Sequence, residues 1–545
     1  MMTPYFHSLS WLQMLAAAAA IIPILFIANC IYNLFFHPLA RIPGPLLGRM
    51  TGITSWYYAM RGKRHIWLWQ QFQIHGNRIR ATPNTVLFCD PSAYAEIYGN
   101  KSNVRRSHFY TAFRRKHSEP TTLNTIDVAV HAQKRKLLNV CFTDKLVRAA
   151  SPFIARHVDR WNQLMVDEIN DKDEWSAPVN FAHKVDELVF DIIGDLSFGR
   201  SFDIKEPRNN PLKQVPHFIA EYMKFYYPIC RSPLLNLIIW LKPRGLDALM
   251  ERLAPPNLKY YNDFLHESVT YRIALQKLQA EKPESERCQD IFYFLYNAKD
   301  PDTGRPAYSE DELRGECSLL IIAGSDTTSV SLSGVLFYLT DDSWRYQKLA
   351  KEIMTTFDSV DDIVYGPKLA SCKYLKACID EGMRLAPSGP CELPREVLPG
   401  GIVVMGEYYP AGTVLGSVPW VDSRNKSAYG DAEVFRPERW IVDEKTGVTK
   451  TDVDRARANF HPFAAGPGNC VGKNLALTEM AIVIARTLYR LDVRRAPGST
   501  VGGGSPELGW GARDPKQFQL RDAYISLREG PEVQFRKRVR ASTQV

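Results

Sequence analysis

The sequence FHPFAAGPGNCVGKNLALTEMAIVIARTLYR, at residues 460–490, carries the strongest indication of the fold. Glycines and a proline surround Cys470, and the largely apolar residues from Asn474 to Arg490 predict a helix. The sulfur of Cys470 then lies at or just before a helix N-terminus, where backbone N–H groups and the positive end of the helix dipole stabilise a thiolate. A free cysteine inside a protein is more often a small apolar side chain, so the loop alone leaves both interpretations open.

A second segment, YSEDELRGECSLLIIAGSDTTSVSLSGVLFYLT at residues 308–340, predicts one long helix. Ser309 and Glu312 have the spacing of a capping box, and the apolar run continues to Leu339. At 1.5 Å per residue this helix is about 45 Å long, which is enough to cross the whole domain.

The middle of this helix holds polar residues, at 323–328, inside an almost wholly apolar stretch. Burying polar groups there costs free energy unless they are satisfied. In one interpretation Thr327 and Thr328 bond back to carbonyls of the preceding turn and Asp326 pairs with a basic neighbour. In the other, Gly324 followed by an acid and two hydroxyls opens the backbone hydrogen-bond ladder for a small ligand and a proton-donating water chain.

Residues 463–472 resemble the haem-binding loop of the cytochrome P450 family, in which a phenylalanine, two glycines and the ligating cysteine recur at these spacings. Residues 323–328 are similar to that family's oxygen-activation motif. Residues 381–384 resemble its Glu-x-x-Arg helix, and residues 435–440 resemble the segment that supplies a further arginine. The four motifs in this order imply a mainly α cytochrome P450 fold, a helix-rich body with small β-sheets, preceded by a single N-terminal transmembrane helix.

The resemblance implies a role for each matched residue. Cys470 is expected to be the axial ligand of the iron of haem b, and Asp326 and Thr327 are expected to deliver protons during oxygen activation. The other expected haem-binding residues are Phe463, Gly466, Gly472, His131, Arg135 and Arg395, and the expected scaffold network is Glu381, Arg384 and Arg439.

Gly468 departs from the family pattern, which usually has an arginine two positions before the cysteine. The resemblance assigns that arginine to a haem propionate, so its absence must be offset. His131 and Arg135, four apart on a predicted helix, occupy the place of the family's Trp-x-x-x-Arg pair, and Arg395 resembles another propionate-contacting arginine. The basic run at residues 134–136 is also typical of a solvated face that meets an electron donor.

Residues 11–36 are apolar except for Gln13, Asn29 and Asn33 and exceed the roughly 20 residues that cross a bilayer. No Lys or Arg precedes them, which favours a signal anchor over a cleaved signal peptide. Seven basic residues between positions 41 and 80 precede the first acid, Asp90, and this charge bias places the rest of the chain in the cytosol. We predict a lumenal terminus at residues 1–10, a transmembrane anchor at 11–36, a proline-rich elbow at 37–48 and a haem domain at 49–545, on the endoplasmic reticulum membrane.

The amino-acid composition excludes several other classes of protein. The 545 residues are 45% hydrophobic and 23% charged, which argues against a disordered, coiled-coil or collagen-like protein. The ten cysteines form no CxxC pair, as expected of reduced thiols rather than a disulfide framework. The net charge of +9 is spread thinly, so we expect contact with a membrane or an acidic partner and no nucleic acid.

The function implied by the resemblance is a membrane-anchored haem-thiolate monooxygenase that hydroxylates or epoxidises a hydrophobic small molecule, most like fungal members that oxidise terpenoids, polyketides or alkaloids. The chain has no Gly-rich dinucleotide motif after a strand, so electrons from NADPH are expected through a separate cytochrome P450 reductase, with cytochrome b5 as a second donor. A haem-thiolate isomerase or dehydratase that does not use O2, and a non-catalytic haem-binding protein, are the alternatives.

The substrate pocket implied by family position is apolar and aromatic, although such residues also form ordinary cores. The expected lining is 113–126, Phe218, Tyr222, Phe225, Tyr226, Tyr227, Leu319, Ala323, 388–393 and the tail near Phe518.

Overall fold

The computed structural model describes residues 11–115, 119–167, 169, 174–283, 286–287, 290–300 and 303–539. The predicted lumenal terminus at 1–10 and part of the expected pocket segment, 116–118, lie outside these residues.

Helices dominate the described chain, as the sequence predicts. In chain order they are α1 Trp11–Phe35, α2 Leu46–Met50, α3 Ile53–Met60, α4 Arg64–His75, α5 Pro91–Tyr98, α6 His108–Ala112, α7 Val128–Cys141, α8 Asp144–Leu164, α9 Phe181–Phe198, α10 Val215–Cys230, α11 Leu235–Leu241, α12 Leu246–Leu253, α13 Pro256–Gln279, α14 Ile291–Asn297, α15 Glu310–Asp341, α16 Ser343–Thr356, α17 Pro367–Ala370, α18 Lys373–Leu385, α19 Pro419–Asp422, α20 Lys426–Tyr429, α21 Lys450–Ala458 and α22 Lys473–Arg490.

The strands form small sheets beside the helical body. They are β1 Arg78–Thr82, β2 Thr85–Phe88, β3 Val104–Arg106, β4 Val179–Asn180, β5 Arg395–Val397, β6 Ile402–Val404, β7 Glu407–Tyr409, β8 Val414–Ser417, β9 Leu491–Arg495, β10 Arg521–Ala523, β11 Ile525–Leu527 and β12 Glu532–Lys537. One sheet has the order β1-β2-β8-β5-β3 and another the order β4-β12-β9, while β6-β7 and β10-β11 are hairpins. In the first sheet β2 pairs in parallel with β8, and β5 pairs antiparallel with β3 and β8.

Helix α15 is the central element of the core. It begins with the predicted capping box, because the Ser309 hydroxyl accepts the Glu312 N–H and the Glu312 carboxylate accepts the Ser309 N–H. It packs along α9 and α18, and also contacts α13 and α22. A Cβ built on Gly382 of α18 would lie 2.3 Å from Cγ2 of Val335, so glycine lets α18 approach α15 closely.

Helix α1 is attached to the body near its C-terminal end. The Asn33 amide donates to the Met50 carbonyl at 2.9 Å, and Nη1 of Arg80 donates to the Asn33 carbonyl at 2.7 Å. Most large apolar side chains from Ile21 to Phe35 are exposed. By length and composition, α15 is the one described helix that could cross a membrane, but it is mostly buried in the protein, and residues 20–35 form a shorter apolar helix. The transmembrane anchor therefore stays a prediction.

The elbow after α1 differs in one respect from the sequence prediction. The chain turns at 36–42, but α2 already begins at Leu46, inside the expected elbow at 37–48. Pro45 directly precedes this helix and is compatible with its start, since a proline there removes no helical hydrogen bond.

Candidate haem site

Cys470 lies between a short turn at Gly466–Gly468 and the start of α22 at Lys473, so the helix predicted after this cysteine is confirmed. The Cys470 N–H donates to the Phe463 carbonyl at 2.8 Å. Among the nine described cysteines, Cys470 alone has an exposed side chain, although protein atoms crowd around it. The pKa of its thiol is raised by this crowding and pulled back by the backbone N–H groups of Gly472 and Lys473 and by the charge of Arg135.

Burial therefore outweighs the helix terminus, and the pKa of Cys470 ends above rather than below its ordinary value. The position at a helix N-terminus alone predicts the opposite, a lowered pKa. The N–H groups aimed at the sulfur nevertheless supply the stabilisation that a thiolate needs once a cation balances its charge.

Gly466 shapes the loop before the cysteine because no other residue fits there. Its φ is +62°, in the left-handed region, and a Cβ on it would lie 2.0 Å from the Tyr98 carbonyl oxygen. Phe463 is half-buried and packs against the main core, which fixes the start of the loop.

Gly468 faces Arg395. A Cβ built on Gly468 would lie 2.6 Å from Nη2 of Arg395, so the guanidinium occupies the space beside this glycine. Nη1 of Arg395 donates to the Tyr110 hydroxyl and the Leu393 carbonyl, both at 3.3 Å. The guanidinium of Arg395, from β5, therefore lies beside the loop position at which the family usually has an arginine.

Four basic side chains gather near this loop: Arg106, His131, Arg135 and Arg395. Arg135 donates to both the carbonyl and the side-chain oxygen of Asn469, the residue before Cys470. Burial and the charges of Arg106, Arg135 and Arg395 lower the pKa of His131 to about 3, so its imidazole is neutral at pH 7. Its buried Nε2 has no hydrogen-bond partner within the described chain.

No carboxylate balances this cluster among the described residues. The Arg106 guanidinium donates to the carbonyls of Thr122 and Leu123, and those of Arg135 and Arg395 donate to carbonyls, amide oxygens and a phenol. Three arginines without a carboxylate, beside a cysteine at a helix start, fit a haem, which brings two propionates and an iron that binds thiolate. Arg106 was missed by the sequence analysis because it lies on a short strand outside any recognised motif.

The polar part of α15 presents one open face. Ala323 is exposed and Thr327, one turn later, is half-buried, while Ser325, Asp326 and Thr328 are buried. The Thr327 hydroxyl donates to the Ala323 carbonyl at 2.7 Å, as the structural interpretation of the motif predicts. The helix continues without interruption, so the opening of the backbone hydrogen bonds that the second interpretation predicts is not seen. The Thr327 hydroxyl bonds to the carbonyl while the helix stays regular.

Among the described residues, no basic side chain lies at hydrogen-bond distance from Asp326. Its Oδ2 is buried and has no hydrogen-bond partner among the described residues. Burial and, to a smaller extent, the charge of Asp186 raise its pKa against the opposing charge of Arg528, and the resulting pKa is about 7. The carboxyl can therefore hold or release a proton near neutral pH.

Glu381 joins α18 to the short helical turn Pro437–Trp440. Its two oxygens accept from Arg384 at 2.8 and 2.9 Å, from Nε of Arg439 at 2.9 Å and from the Trp440 indole at 3.0 Å. Burial acts to raise the pKa of Glu381, but Arg384 and Arg439 outweigh it and the pKa is lowered. These residues lie away from Cys470 as a buried network, in the arrangement expected of a scaffold.

Most of the residues expected to line the pocket are buried or half-buried, but Phe225 and Phe518 lie elsewhere. Phe218, Tyr222, Tyr226 and Tyr227 of α10 are buried and Leu319 is half-buried, whereas Phe225 is 41% exposed and points outward. Phe518 is fully buried, with its ring 4.9 Å from that of Phe337, so it belongs to the core beneath α15. The tail residue that reaches the site is instead Tyr524, between β10 and β11, whose ring lies 5.1 Å from that of Phe113.

Comparison with known proteins agrees with this geometry. The sequence model of the cytochrome P450 family matches residues 42–510. The chain is 33% identical over 511 residues to the cytochrome P450 monooxygenase poxM of Penicillium oxalicum, which covers 94% of this chain and 92% of the relative. It is 32% identical over 537 residues to the cytochrome P450 monooxygenase fscF of Fusarium equiseti, covering 97% of both chains. It is also 30% identical over 550 residues to the cytochrome P450 monooxygenase atnE of Emericella nidulans, covering 99% of both chains.

The chain therefore belongs to the cytochrome P450 family. It is a monooxygenase of that family, and the family membership implies haem b as the iron cofactor.

Proposed function

We propose that this monooxygenase is anchored in the endoplasmic reticulum membrane and uses O2 and NADPH-derived electrons to hydroxylate or epoxidise a hydrophobic small molecule. The observation that carries the proposal is the position of Cys470 at the start of α22, beside Arg106, Arg135 and Arg395, none of which has a carboxylate partner in the described chain. When bound there, haem supplies the iron at which dioxygen is reduced and from which one oxygen atom enters a C–H or C=C bond.

Residues of this chain would bind the haem and deliver protons. Cys470 provides the thiolate ligand, and the neighbouring arginines bind the propionates as charge-assisted donors. Asp326 carries a proton at near-neutral pH and lies beside Thr327 on α15. The Thr327 hydroxyl now donates to a carbonyl of its own helix, and rotation about its side-chain bond would turn it toward the open face.

The proposed substrate class and compartment follow from the aromatic side chains, the relatives and helix α1. The aromatic side chains of α10 and Tyr524 favour an apolar substrate, and the resemblance to fungal enzymes favours a terpenoid, polyketide or alkaloid of secondary metabolism. The exposed apolar side chains of α1 favour membrane anchoring, and the basic residues after it favour a cytosolic haem domain. Electrons would then come from membrane-bound NADPH–cytochrome P450 reductase, with cytochrome b5 as a second donor.

The first experiment is the carbon monoxide difference spectrum of the reduced, membrane-expressed protein. We expect the red-shifted band of a thiolate ligand, its loss in Cys470→Ala, and its retention in the matched variant Cys372→Ala, which removes a buried cysteine on α18's N-terminal side. A band that survives in Cys470→Ala would refute the ligand assignment.

A second measurement separates the three functional hypotheses. A monooxygenase consumes O2 and NADPH together when reductase and a hydrophobic substrate are present. A haem-thiolate isomerase or dehydratase would turn over its substrate without either, and a non-catalytic haem protein would show neither reaction.

A further inference from the structure

Two buried carboxylates, those of Asp522 and Glu392, lie where three parts of the expected pocket meet. Asp522 belongs to β10 at the C-terminal hairpin, Glu392 to the loop 388–393, and both contact the last turns of α10. Their side chains are 1% and 0% exposed. We call the group the carboxylate clasp; its members are Asp522, Glu392, Cys391, Tyr227, Arg231 and Arg64.

Asp522 connects three segments of the chain. Its Oδ2 accepts from the Tyr227 hydroxyl at 2.6 Å and from the Cys391 thiol at 3.0 Å. Its Oδ1 accepts the N–H of Tyr524 at 3.1 Å. The end of α10, the loop 388–393 and the tip of the hairpin are therefore fastened to one carboxyl group.

Glu392 makes the second half of the clasp. Arg64 of α4 binds it through two parallel hydrogen bonds, Nη1 to Oε2 at 2.6 Å and Nη2 to Oε1 at 2.9 Å. Nη1 of Arg231, at the C-terminal end of α10, donates to Oε1 at 2.5 Å. Bidentate pairs of this kind are geometrically specific and roughly twice as strong as neutral hydrogen bonds, so they restrict how far α10 can move from the loop.

The residue that the clasp holds most directly is Tyr524. Its φ is +72°, a conformation that a bulky side chain adopts only where its surroundings impose it. Its ring lies 5.4 Å from that of Phe109 and 5.1 Å from that of Phe113.

Tyr524 also lies close to the candidate haem site. Its ring is 6.1 Å from that of Tyr110, whose hydroxyl accepts from Arg395, the arginine that contacts Gly468. Only two side chains, those of Tyr110 and Arg395, therefore separate the ring of Tyr524 from the Cys470 loop.

We propose that Asp522 is a positioning residue that couples α10 to the tip of the C-terminal hairpin, and that the carboxylate clasp thereby limits the size of the ligand admitted between α15 and the Cys470 loop. The physical reason is that Oδ2 of Asp522 accepts from Tyr227 and Cys391 while its Oδ1 accepts the Tyr524 N–H, so an outward movement of α10 must either break the bond to Oδ2 or pull on the side chain that holds the backbone of Tyr524. The ligand-size part of this inference rests on the proposed haem site; the coupling of the two segments does not.

The test uses Tyr227→Phe, which keeps the ring of Tyr227 and removes only its bond to Asp522. The matched control is Tyr374→Phe, because the Tyr374 hydroxyl makes an equally buried bond of 2.8 Å to Glu438 far from this region. Asp522→Asn is the second variant; it keeps the shape of the side chain, but its NH2 group donates, so it cannot accept both from the Tyr227 and Cys391 side chains and from the Tyr524 N–H.

The first readout is hydrogen–deuterium exchange of the whole protein, which needs no activity. In Tyr227→Phe and Asp522→Asn we expect exchange to rise about tenfold both in α10 and in residues 521–527, as the loss of a hydrogen bond to a charged group predicts. Tyr374→Phe should leave both segments unchanged. A rise confined to α10, or an equal rise in the control, would overturn the coupling.

The second readout is the binding of two iron-ligating azoles to protein that shows the thiolate band with carbon monoxide. We expect clotrimazole, a bulky azole, to associate several-fold faster with Tyr227→Phe than with the unaltered protein, while imidazole changes less than twofold. Equal changes for both ligands would overturn the size limit. Absence of the thiolate band in the unaltered protein would instead count against the proposed function, and the exchange experiment would still decide the coupling.

Discussion

Gly468 shows how one residue can depart from a family pattern without loss of the site. The space that a side chain at 468 would need is occupied by Nη2 of Arg395, at 2.6 Å from a Cβ built there. The positive charge beside the loop therefore comes from β5 and not from the loop itself. Arg106 and Arg135 add to it from β3 and α7.

This geometry predicts that restoring the family's residue damages the site. In Gly468→Arg and Gly468→Ala the new side chain displaces Arg395, so we expect haem to dissociate about tenfold faster, as for loss of one charged hydrogen bond. Haem transfer to apomyoglobin measures this rate. Gly366→Ala is the control, because a Cβ there meets nothing within 4 Å. Tighter haem binding by Gly468→Arg would show that Arg395 does not replace the missing arginine.

Asp326 makes stability depend on pH in a predictable direction. Its folded-state pKa, about 7, lies above the ordinary value of 3.8, so the folded protein binds a proton there that the unfolded chain has released between about pH 4 and pH 7. Stability from this group is present at low pH and is lost as the pH rises through 7. In Asp326→Asn the loss disappears, so we expect a variant more stable than the unaltered protein at pH 8 by a few kcal/mol at most.

Melting temperatures of both proteins between pH 5 and pH 8 measure this difference. Asp186→Asn provides an independent check, because removing its charge lowers the pKa of Asp326 and shifts the transition to lower pH. A constant difference between Asp326→Asn and the unaltered protein across this range would contradict the assignment.

Among the elements, helix α18 is joined to distant segments of the fold by the buried carboxylate of Glu381. Glu381 fastens this helix to the turn Pro437–Trp440, and Arg384 reaches onward to the carbonyls of Ser423 and Ala432. One buried carboxylate thus connects segments separated by more than fifty residues in the chain.

Glu381→Gln should therefore disrupt folding far more than loss of a surface ion pair. The substitution leaves the guanidinium of Arg384 buried without a counter-charge in the described chain and leaves Arg439 with only the partly exposed Asp431, which costs about 3–5 kcal/mol. Glu407→Gln, which removes a half-exposed pair with Arg78, should cost at most about 1 kcal/mol. Melting temperature and haem content measure both; similar losses in the two variants would contradict a scaffold role for Glu381.

At the scale of the whole molecule, α1 combines an exposed apolar surface with a short attachment to the body. The bonds between Asn33, Met50 and Arg80 belong to the attachment, and the exposed side chains precede it. The place at which the helix is cut should therefore decide whether the remaining protein keeps its stability.

We predict different outcomes for two truncations. Removal of residues 1–28 should abolish carbonate-resistant membrane association and leave the melting temperature unchanged. Removal of residues 1–36 should also lower stability by about 1–2 kcal/mol, because Arg80 loses its buried carbonyl partner. Carbonate-resistant association of either truncated protein would contradict the proposed anchor, and equal stability of the two would contradict the role of Asn33.

Local sequence was sufficient for the parts of the fold that depend on neighbouring residues. The capping box of α15 and the start of α22 after Cys470 follow from capping, glycine-rich turns and periodicity, which act over a few residues. The spacing of the four motifs, together with the resemblance they carry, also indicates the family, haem b and the ligand Cys470.

Only the tertiary structure decided which distant residues meet. Arg395 lies beside Gly468 and Arg106 lies near His131, and the clasp joins Tyr227 to Asp522 across 295 residues. Phe225 and Phe518 were both expected to line the pocket. Phe225 is exposed and Phe518 is buried in the core, and only the packing of the folded chain determines this. Side-chain type and local spacing determine what an element can be, whereas the contacts that complete a site form only when the folded chain brings remote segments together, and no local pattern encodes them.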